Sequence, residues 1–179
     1  MLLPQPNELI VSGLGPCRFP SPLQSRGQRF INDTSRVLVS ADAADLQPFL
    51  ATGQLPPTFE LAGPRAEIFF NPSTTTCGIV TCGGICPGLN DVIRSVVRTL
   101  TFGYGAPRVL GFRYGYAGLS SKSGYEPLTL TPEVVDSIHE QGGTLLGSSR
   151  GPQEIDDMIE TLIRYEIKIL FNRPVSRLP

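Results

Sequence analysis

The sequence predicts an α/β protein, a doubly wound and mainly parallel sheet that is incomplete and is preceded by an extended N-terminal arm. Three observations lead there. From residue 66 onward, short apolar β-branched runs alternate with runs of helical period. Fourteen of the 19 glycines fall between Gly78 and Gly151, where they separate those runs. Nine of the 17 prolines fall in residues 1–65, where they interrupt regular structure. The expected organisation is a largely irregular N-terminal extension over 1–65, an α/β body over 66–171 and a short tail over 172–179.

Within the extension, Arg36-Val-Leu-Val-Ser40 reads as a strand and Asp42 to Leu50 as a turn of helix. Gly15-Pro16, Pro20-Ser-Pro22, Pro56-Pro57 and Gly63-Pro64 are punctuation. The body opens with the short apolar segment Ala66 to Phe70, then Cys77-Gly-Ile-Val-Thr-Cys82, a buried-strand run ending in glycines. After Gly83-Gly84-Ile85-Cys86-Pro87-Gly88 comes a helix with Val92, Ile93, Val96, Val97 and Leu100 on one face. Arg108 to Phe112 is the next strand. Thr131-Pro132 supplies an N-cap and a proline at the first helical position, predicting a helix through Val134, Val135 and Ile138 that stops at Gly142-Gly143. Thr144 to Gly147 reads as a short strand, Pro152 opens a helix through Ile155, Met158, Ile159, Leu162 and Ile163, and Ile167 to Phe171 is a last strand.

Composition narrows the function classes. Fifteen basic against 16 acidic residues give a formal charge of −1, so no polybasic field favours nucleic acid or an anionic membrane. No apolar run approaches the ~18 residues of a membrane span. Met1 to Ile10 has no basic region and is interrupted by Pro4 and Pro6, which reads as a soluble cytoplasmic protein. Cys77, Cys82 and Cys86 form a C-x4-C-x3-C run that matches neither zinc nor ferredoxin spacings and reads as small apolar fillers. The single histidine, His139, stands at a polar position of the expected helix, which leaves no material for a histidine-based triad.

The chemistry concentrates in two glycine-rich stretches. In Thr81-Cys-Gly-Gly-Ile-Cys-Pro-Gly-Leu-Asn-Asp-Val-Ile-Arg94 a strand delivers glycines whose missing side chains let a ligand touch the backbone. The helix that follows offers free N–H groups to an anion. Neither a P-loop nor a dinucleotide fingerprint is present, so the glycines alone serve tight helix–strand packing equally well. The second stretch is Gly142-Gly-Thr-Leu-Leu-Gly-Ser-Ser-Arg150-Gly151, where a guanidinium beside the expected strand end can clamp phosphate oxygens. In an open α/β sheet ligands collect at the carboxyl ends of strands. Two such ends, one carrying arginine, point to a nucleotide or sugar-phosphate site.

Those two stretches and Gly111-Phe-Arg-Tyr-Gly-Tyr-Ala-Gly-Leu119, in this order and spacing, resemble the plant and protist branch of the 6-phosphofructokinase family. Arg18-Phe-Pro-Ser-Pro-Leu23 and Phe59-Glu-Leu-Ala-Gly-Pro-Arg65 resemble that branch's N-terminal extension. The resemblance implies a phosphofructokinase-like donor-binding domain, ATP-dependent transfer to the 1-hydroxyl of fructose 6-phosphate in glycolysis, and magnesium as cofactor. It implies ATP-binding roles for Gly83, Arg150, Gly151 and Arg113, with pyrophosphate as the alternative donor and a homo-oligomer when full length. Ile85 departs from the aspartate of bacterial members.

The resemblance further implies that a strand like Ile167 to Phe171 leads into a Gly-Gly-Asp-Gly loop holding magnesium, then a segment with the general base. Neither motif follows Phe171 here, so catalytic and metal-ligating residues are expected beyond the chain's end and 172–179 is expected as a tail foreign to the family. The expectation is a truncated, inactive form, from a truncated gene model, an alternative transcript or a frameshift. The alternative is a non-catalytic fragment that associates with full-length subunits.

Overall fold

The computed structural model describes Pro4, residues 6–84 and residues 87–175. Ile85 and Cys86 of the glycine turn, and residues 176–179 of the expected tail, lie outside the described residues. The chain divides into two compact units, Met1–Phe69 and Phe70–Pro179.

The first unit is built from short pieces. Strand β1 (Phe19–Pro20) and β4 (Glu67–Ile68) pair antiparallel, as do β2 (Arg36–Leu38) and β3 (Thr58–Glu60), with α1 (Ala43–Thr52) between β2 and β3. Asp42 caps α1 by accepting the Ala44 N–H at 2.8 Å, and the ten-residue helix carries Pro48 inside it. The arm therefore holds more regular structure than its prolines suggest.

The second unit carries the sheet. Strand β5 (Thr76–Gly83) lies between β6 (Arg108–Phe112) and β8 (Ile167–Val175), parallel to both. The short β7 (Leu128–Thr129) closes the other edge antiparallel to β6, giving the order β7-β6-β5-β8. The two helices, α2 (Leu89–Arg98) and α3 (Ile155–Arg164), pack on opposite faces, as a doubly wound sheet requires. Period-2 alternation along β5 sorts its side chains. Cys77 and Ile79 pack with Ile93 and Val97 of α2, while Val80 and Cys82 pack with Met158 and Leu162 of α3. Gly78 is glycine for want of space. A Cβ there would meet Leu170 Cδ1 and Phe112 Cε2, each at 3.0 Å.

Where β8 enters the sheet the register slips by one residue between Thr76 and Cys77. The slip lets Ile167 and Leu170 reach the α3 face and Ile169 and Phe171 the α2 face. The strand also runs four residues past its expected end at Phe171, pairing Asn172 to Val175 with Val80 to Gly83. Pro174 is compatible with this because β8 is an edge strand, where a missing N–H breaks no ladder on the outer side.

Two expected elements are replaced. The helix predicted from Thr131 to Gly142 is instead a series of turns ending in a 3-10 turn at Ile138–Glu140. The Thr131 cap forms, its hydroxyl accepting the Val134 N–H at 3.3 Å, and Val135 makes one helical bond to Thr131. Then Arg94 Nε takes the Asp136 carbonyl at 2.9 Å, and Glu140 N–H bonds Ser137 instead. A tertiary donor has displaced the helical one. The predicted strand Thr144 to Gly147 is a turn, because its backbone bonds go to Asn90, Tyr114 and its own Thr144 rather than to a neighbouring ladder. Arg150 therefore follows a braced loop, not a strand. Beyond Arg98 a π-helical turn, Thr99–Tyr104, prolongs α2.

Candidate functional site

The carboxyl end of β5 delivers Gly83, with φ +84°, and Gly84 at the edge of the sheet. The turn ends on Gly88, whose φ of +88° only glycine holds without strain, and α2 starts at the next residue. Among the described residues no side chain caps that helix start, and uncapped first-turn N–H groups suit an anion. Ser148, Ser149 and Arg150 stand opposite. With Gly83 and Gly84 they line a pocket of about 350 Å³.

Hydrogen bonds fix the two walls to each other. Ser148 Oγ donates to the Gly83 carbonyl at 2.6 Å, and Thr81 Oγ1 donates to the Gly147 carbonyl at 2.7 Å. Tyr114, in the left-handed region at φ +61°, donates its N–H to the Leu146 carbonyl at 2.6 Å. A neighbouring loop closes against the same segment at Gly115, where a Cβ would lie 3.0 Å from both Ser149 N and Ser149 Oγ. Ser149 Oγ accepts the Ala117 N–H at 3.4 Å, which leaves its own proton available. Arg150 is exposed, and among the described residues no carboxylate pairs with it. The pocket thus presents glycine backbone, a hydroxyl donor and an uncommitted guanidinium, with no anionic group among the described residues that line it. That combination suits a phosphate ester or anhydride.

Of the four residues singled out from the sequence, Gly83 and Arg150 share this pocket. Gly151, with φ +106°, is the next residue of the loop but does not line it. Arg113 follows β6 on the same sheet edge, one strand over. Its guanidinium donates to Tyr114 Oη at 3.2 Å and lies 5.2 Å from the centre of that ring. The structure therefore brings two of the four together and does not place the other two in the pocket lining. Sequence reading missed Thr81, Asn90, Tyr114 and Ser148. Their partners are tens of residues away, and no local pattern announces them.

Cys77 and Cys82 of β5 are both buried. Burial pushes the Cys77 thiol up to about 11 and raises Cys82 as well, against hydrogen bonds from Tyr116 that lower it. Both sit in the core as small apolar groups. His139 is exposed, on the 3-10 turn. Among the described residues no group of histidine, cysteine or carboxylate side chains is arranged to hold a metal ion, and no helix is long and apolar enough to cross a membrane.

Known proteins match the part of the chain that carries this pocket. The family described as phosphofructokinase matches residues 76–172, which contain β5, the glycine turn and the arginine loop. An ATP-dependent 6-phosphofructokinase of Amycolatopsis methanolica is 43% identical over 171 residues, covering 92% of this chain and 37% of its own. One of Trypanosoma cruzi is 57% identical over 112 residues, 63% of this chain and 23% of its own. A chloroplastic enzyme of the same name from Arabidopsis thaliana is 44% identical over 110 residues, 62% of this chain and 20% of its own. The chain thus spans between about a fifth and just over a third of the length of these relatives. With more than half of its residues matched by the family and the matched region forming the sheet and both walls of the pocket, the chain belongs to the phosphofructokinase family.

Proposed function

We propose that this chain supplies the phosphoryl-donor side of an ATP-dependent 6-phosphofructokinase, binding the polyphosphate of ATP between the Gly83–Gly88 turn and the Ser148–Arg150 loop. The observation that carries the reading is the pocket itself, where Gly83, Gly84 and an uncommitted Arg150 meet at the carboxyl edge of a parallel sheet. Phosphoryl transfer rests on positioning and on neutralising charge spread over the transferring oxygens. Backbone N–H groups at Gly83 and Gly84, the Ser149 hydroxyl and the Arg150 guanidinium are the groups for that task. Gly151 shapes the loop, and Arg113 reaches the donor's outer part. The acceptor is fructose 6-phosphate, reacting through its 1-hydroxyl to give fructose 1,6-bisphosphate.

Among the described residues the pocket lining holds no carboxylate and no histidine. The described residues consequently do not fit a bound magnesium ion, and they offer no base for the acceptor hydroxyl. The expected behaviour of the chain is donor binding without turnover. Calorimetry with ATP and, in a second arm, with pyrophosphate tests this. ATP binding that falls about tenfold or more in Arg150→Ala supports the reading, since charge-assisted bonds contribute ~1.5–3 kcal/mol. Equal binding by both proteins removes Arg150 from the site. Tighter binding of pyrophosphate than of ATP changes the donor. Magnesium-dependent formation of fructose 1,6-bisphosphate by the chain itself overturns the separation of binding from catalysis.

A further inference from the structure

Asn90 is the second residue of α2 and is only 3% exposed. It contributes to no hydrophobic cluster, and its side chain is not a cap of its own helix. Instead Nδ2 donates to the Gln141 carbonyl at 3.0 Å, and Oδ1 accepts the Leu145 N–H at 2.7 Å. Both partners are backbone groups, 51 and 55 residues away in sequence. A short carboxamide is the side chain that offers a donor and an acceptor from one flat group at this reach.

The consequence lies downstream of Leu145. From there the loop is held in succession at Leu146 by Tyr114, at Gly147 by Thr81 and at Ser148 by Gly83. Arg150 comes two residues after the last of these ties. Thr81 and Gly83 belong to β5, and Tyr114 follows β6, so those ties fix the loop to the sheet. Asn90 alone among these groups fixes it to α2, the helix into which the glycine turn leads. Gly142 and Gly143 lie inside the segment that Asn90 spans, and they have no side chains with which to hold it.

We propose that Asn90 is a positioning residue. It clamps residues 141–145 to the first turn of α2 and thereby sets where Arg150 stands relative to the glycine turn, without touching the ligand. Its effect on affinity rests on the donor-site reading above; its hold on the loop does not. Removing the carboxamide leaves the Leu145 N–H and the Gln141 carbonyl without their partners. The loop then gains freedom that ATP must again remove on binding.

Amide hydrogen exchange and ATP calorimetry on the 179-residue chain decide it, using wild type, Asn90→Ala and Asn90→Asp. In Asn90→Ala, exchange at Leu145 to Gly147 rises about tenfold or more, β5 and β6 stay protected, and ATP binds about tenfold more weakly. Asn90→Asp keeps the acceptor for Leu145 but sets a carboxylate against the Gln141 carbonyl. Its neighbours Asp91 and Arg94 on α2, and Asp136 paired with Arg94, are common to all three proteins. Relative to wild type at each pH, Asn90→Asp recovers both loop protection and affinity as the pH falls, because the protonated acid donates to Gln141 again. Asn90→Ala shows no such recovery. The proposal is overturned by unchanged loop exchange in Asn90→Ala, by loop and sheet losing protection together in both variants, or by loop release with unaltered ATP affinity. A wild type that does not bind ATP overturns the donor-site reading instead, and the exchange data then decide whether Asn90 holds the loop.

Discussion

The two units of this chain solve the problem of ordering a backbone in different ways. Residues 70–179 bury Phe112, Val80, Val97, Leu146 and Val135 to 0% exposure around a sheet. In residues 1–69, among the described residues, only Ser21 and Pro57 are buried, while Leu55 is 89%, Leu50 77% and Ile10 74% exposed. There the order comes from local devices: the Asp42 cap on α1, Asn32 Oδ1 accepting the Thr34 N–H at 2.9 Å, and Arg65 paired with Asp33 at 2.7 Å. Caps and exposed ion pairs contribute of order 1 kcal/mol or less each. A buried aromatic ring contributes several times that. The pocket is built on the unit with the core, because groups that must hold positions to fractions of an ångström need rigid supports.

Core truncation breaks this contrast most directly. Phe112→Ala removes a fully buried ring that meets Tyr165 edge-on at 6.1 Å, and it is expected to destabilise residues 70–179 by about 3–5 kcal/mol. Leu55→Ala, in the first unit, is expected to stay within about 0.5 kcal/mol. Urea denaturation followed by far-ultraviolet dichroism measures both. Equal losses at the two positions would mean that the exposed leucine is covered in solution and that the contrast between the units is false.

The same contrast governs what the sequence reveals. Strand β5, its glycine turn and α2 are legible because burial imposes patterns with a short period: β-branched alternation, then Ile93 and Val97 one helical turn apart. Helix α3 is legible for the same reason. The stretch from Thr131 to Gln141 is not, since its cap and apolar spacing are helical and only Arg94, reaching from another element, diverts the Asp136 carbonyl. The turn at Thr144 to Gly147 looks like a strand because Leu145 and Leu146 are apolar. Its backbone partners, Asn90 and Tyr114, cannot be inferred from neighbours in sequence. In the first unit α1 is legible only as a turn of helix from Asp42 to Leu50, and β1, a two-residue pairing with β4, is not legible at all. At the site, the pocket-lining glycines and Arg150 are legible as residue types. Thr81, Ser148 and Asn90, which place them, are not.

Thiol chemistry sharpens the comparison at three points along the chain. Cys17 is exposed in the first unit, whereas Cys77 and Cys82 lie in the core of the second. Burial also raises both core thiols, Cys77 to about 11, so the reactive thiolate is scarce near neutral pH even when access opens. In a Cys86→Ser background, a chromogenic disulfide reagent is expected to modify one thiol, Cys17, rapidly. The other two should follow only at the rate of unfolding. Rapid modification of Cys77 in the folded chain would show that the β5–α2 layer opens locally, and it would weaken the claim that the pocket stands on the more rigid unit.

The smallest expected effect separates two carboxylates of similar appearance. Asp33 is 87% exposed beside Arg65 in the first unit, and an ion pair of that kind contributes little because solvent screens it and two mobile side chains must be held. Asp157 of α3 is placed differently. It accepts hydrogen bonds from the Ser120 hydroxyl, from the Ser121 hydroxyl and, at 3.2 Å, from the Ser121 N–H, tying the Ser120–Ser121 turn to the helix. The Ser120 hydroxyl first, and Ser121 second, hold the Asp157 carboxyl below the usual carboxylate range, with burial opposing them and Lys122 adding a smaller pull. A carboxyl whose folded value is depressed stabilises the fold fully above its unfolded value of ~3.9, and that contribution disappears as the pH falls through the lower folded value. Asp157 therefore stays charged at pH values where ordinary carboxylates have begun to protonate. Asp157→Asn should flatten the acid limb of the stability curve slightly, with no change near neutral pH beyond the loss of one charge-assisted acceptor. Carboxyl titration by nuclear magnetic resonance reads the folded value directly. An Asp157 that titrates with, or above, an unstructured aspartate would mean that the two serines do not hold it in solution, and that the Ser120–Ser121 turn is as loosely attached as the surface pairs of the first unit.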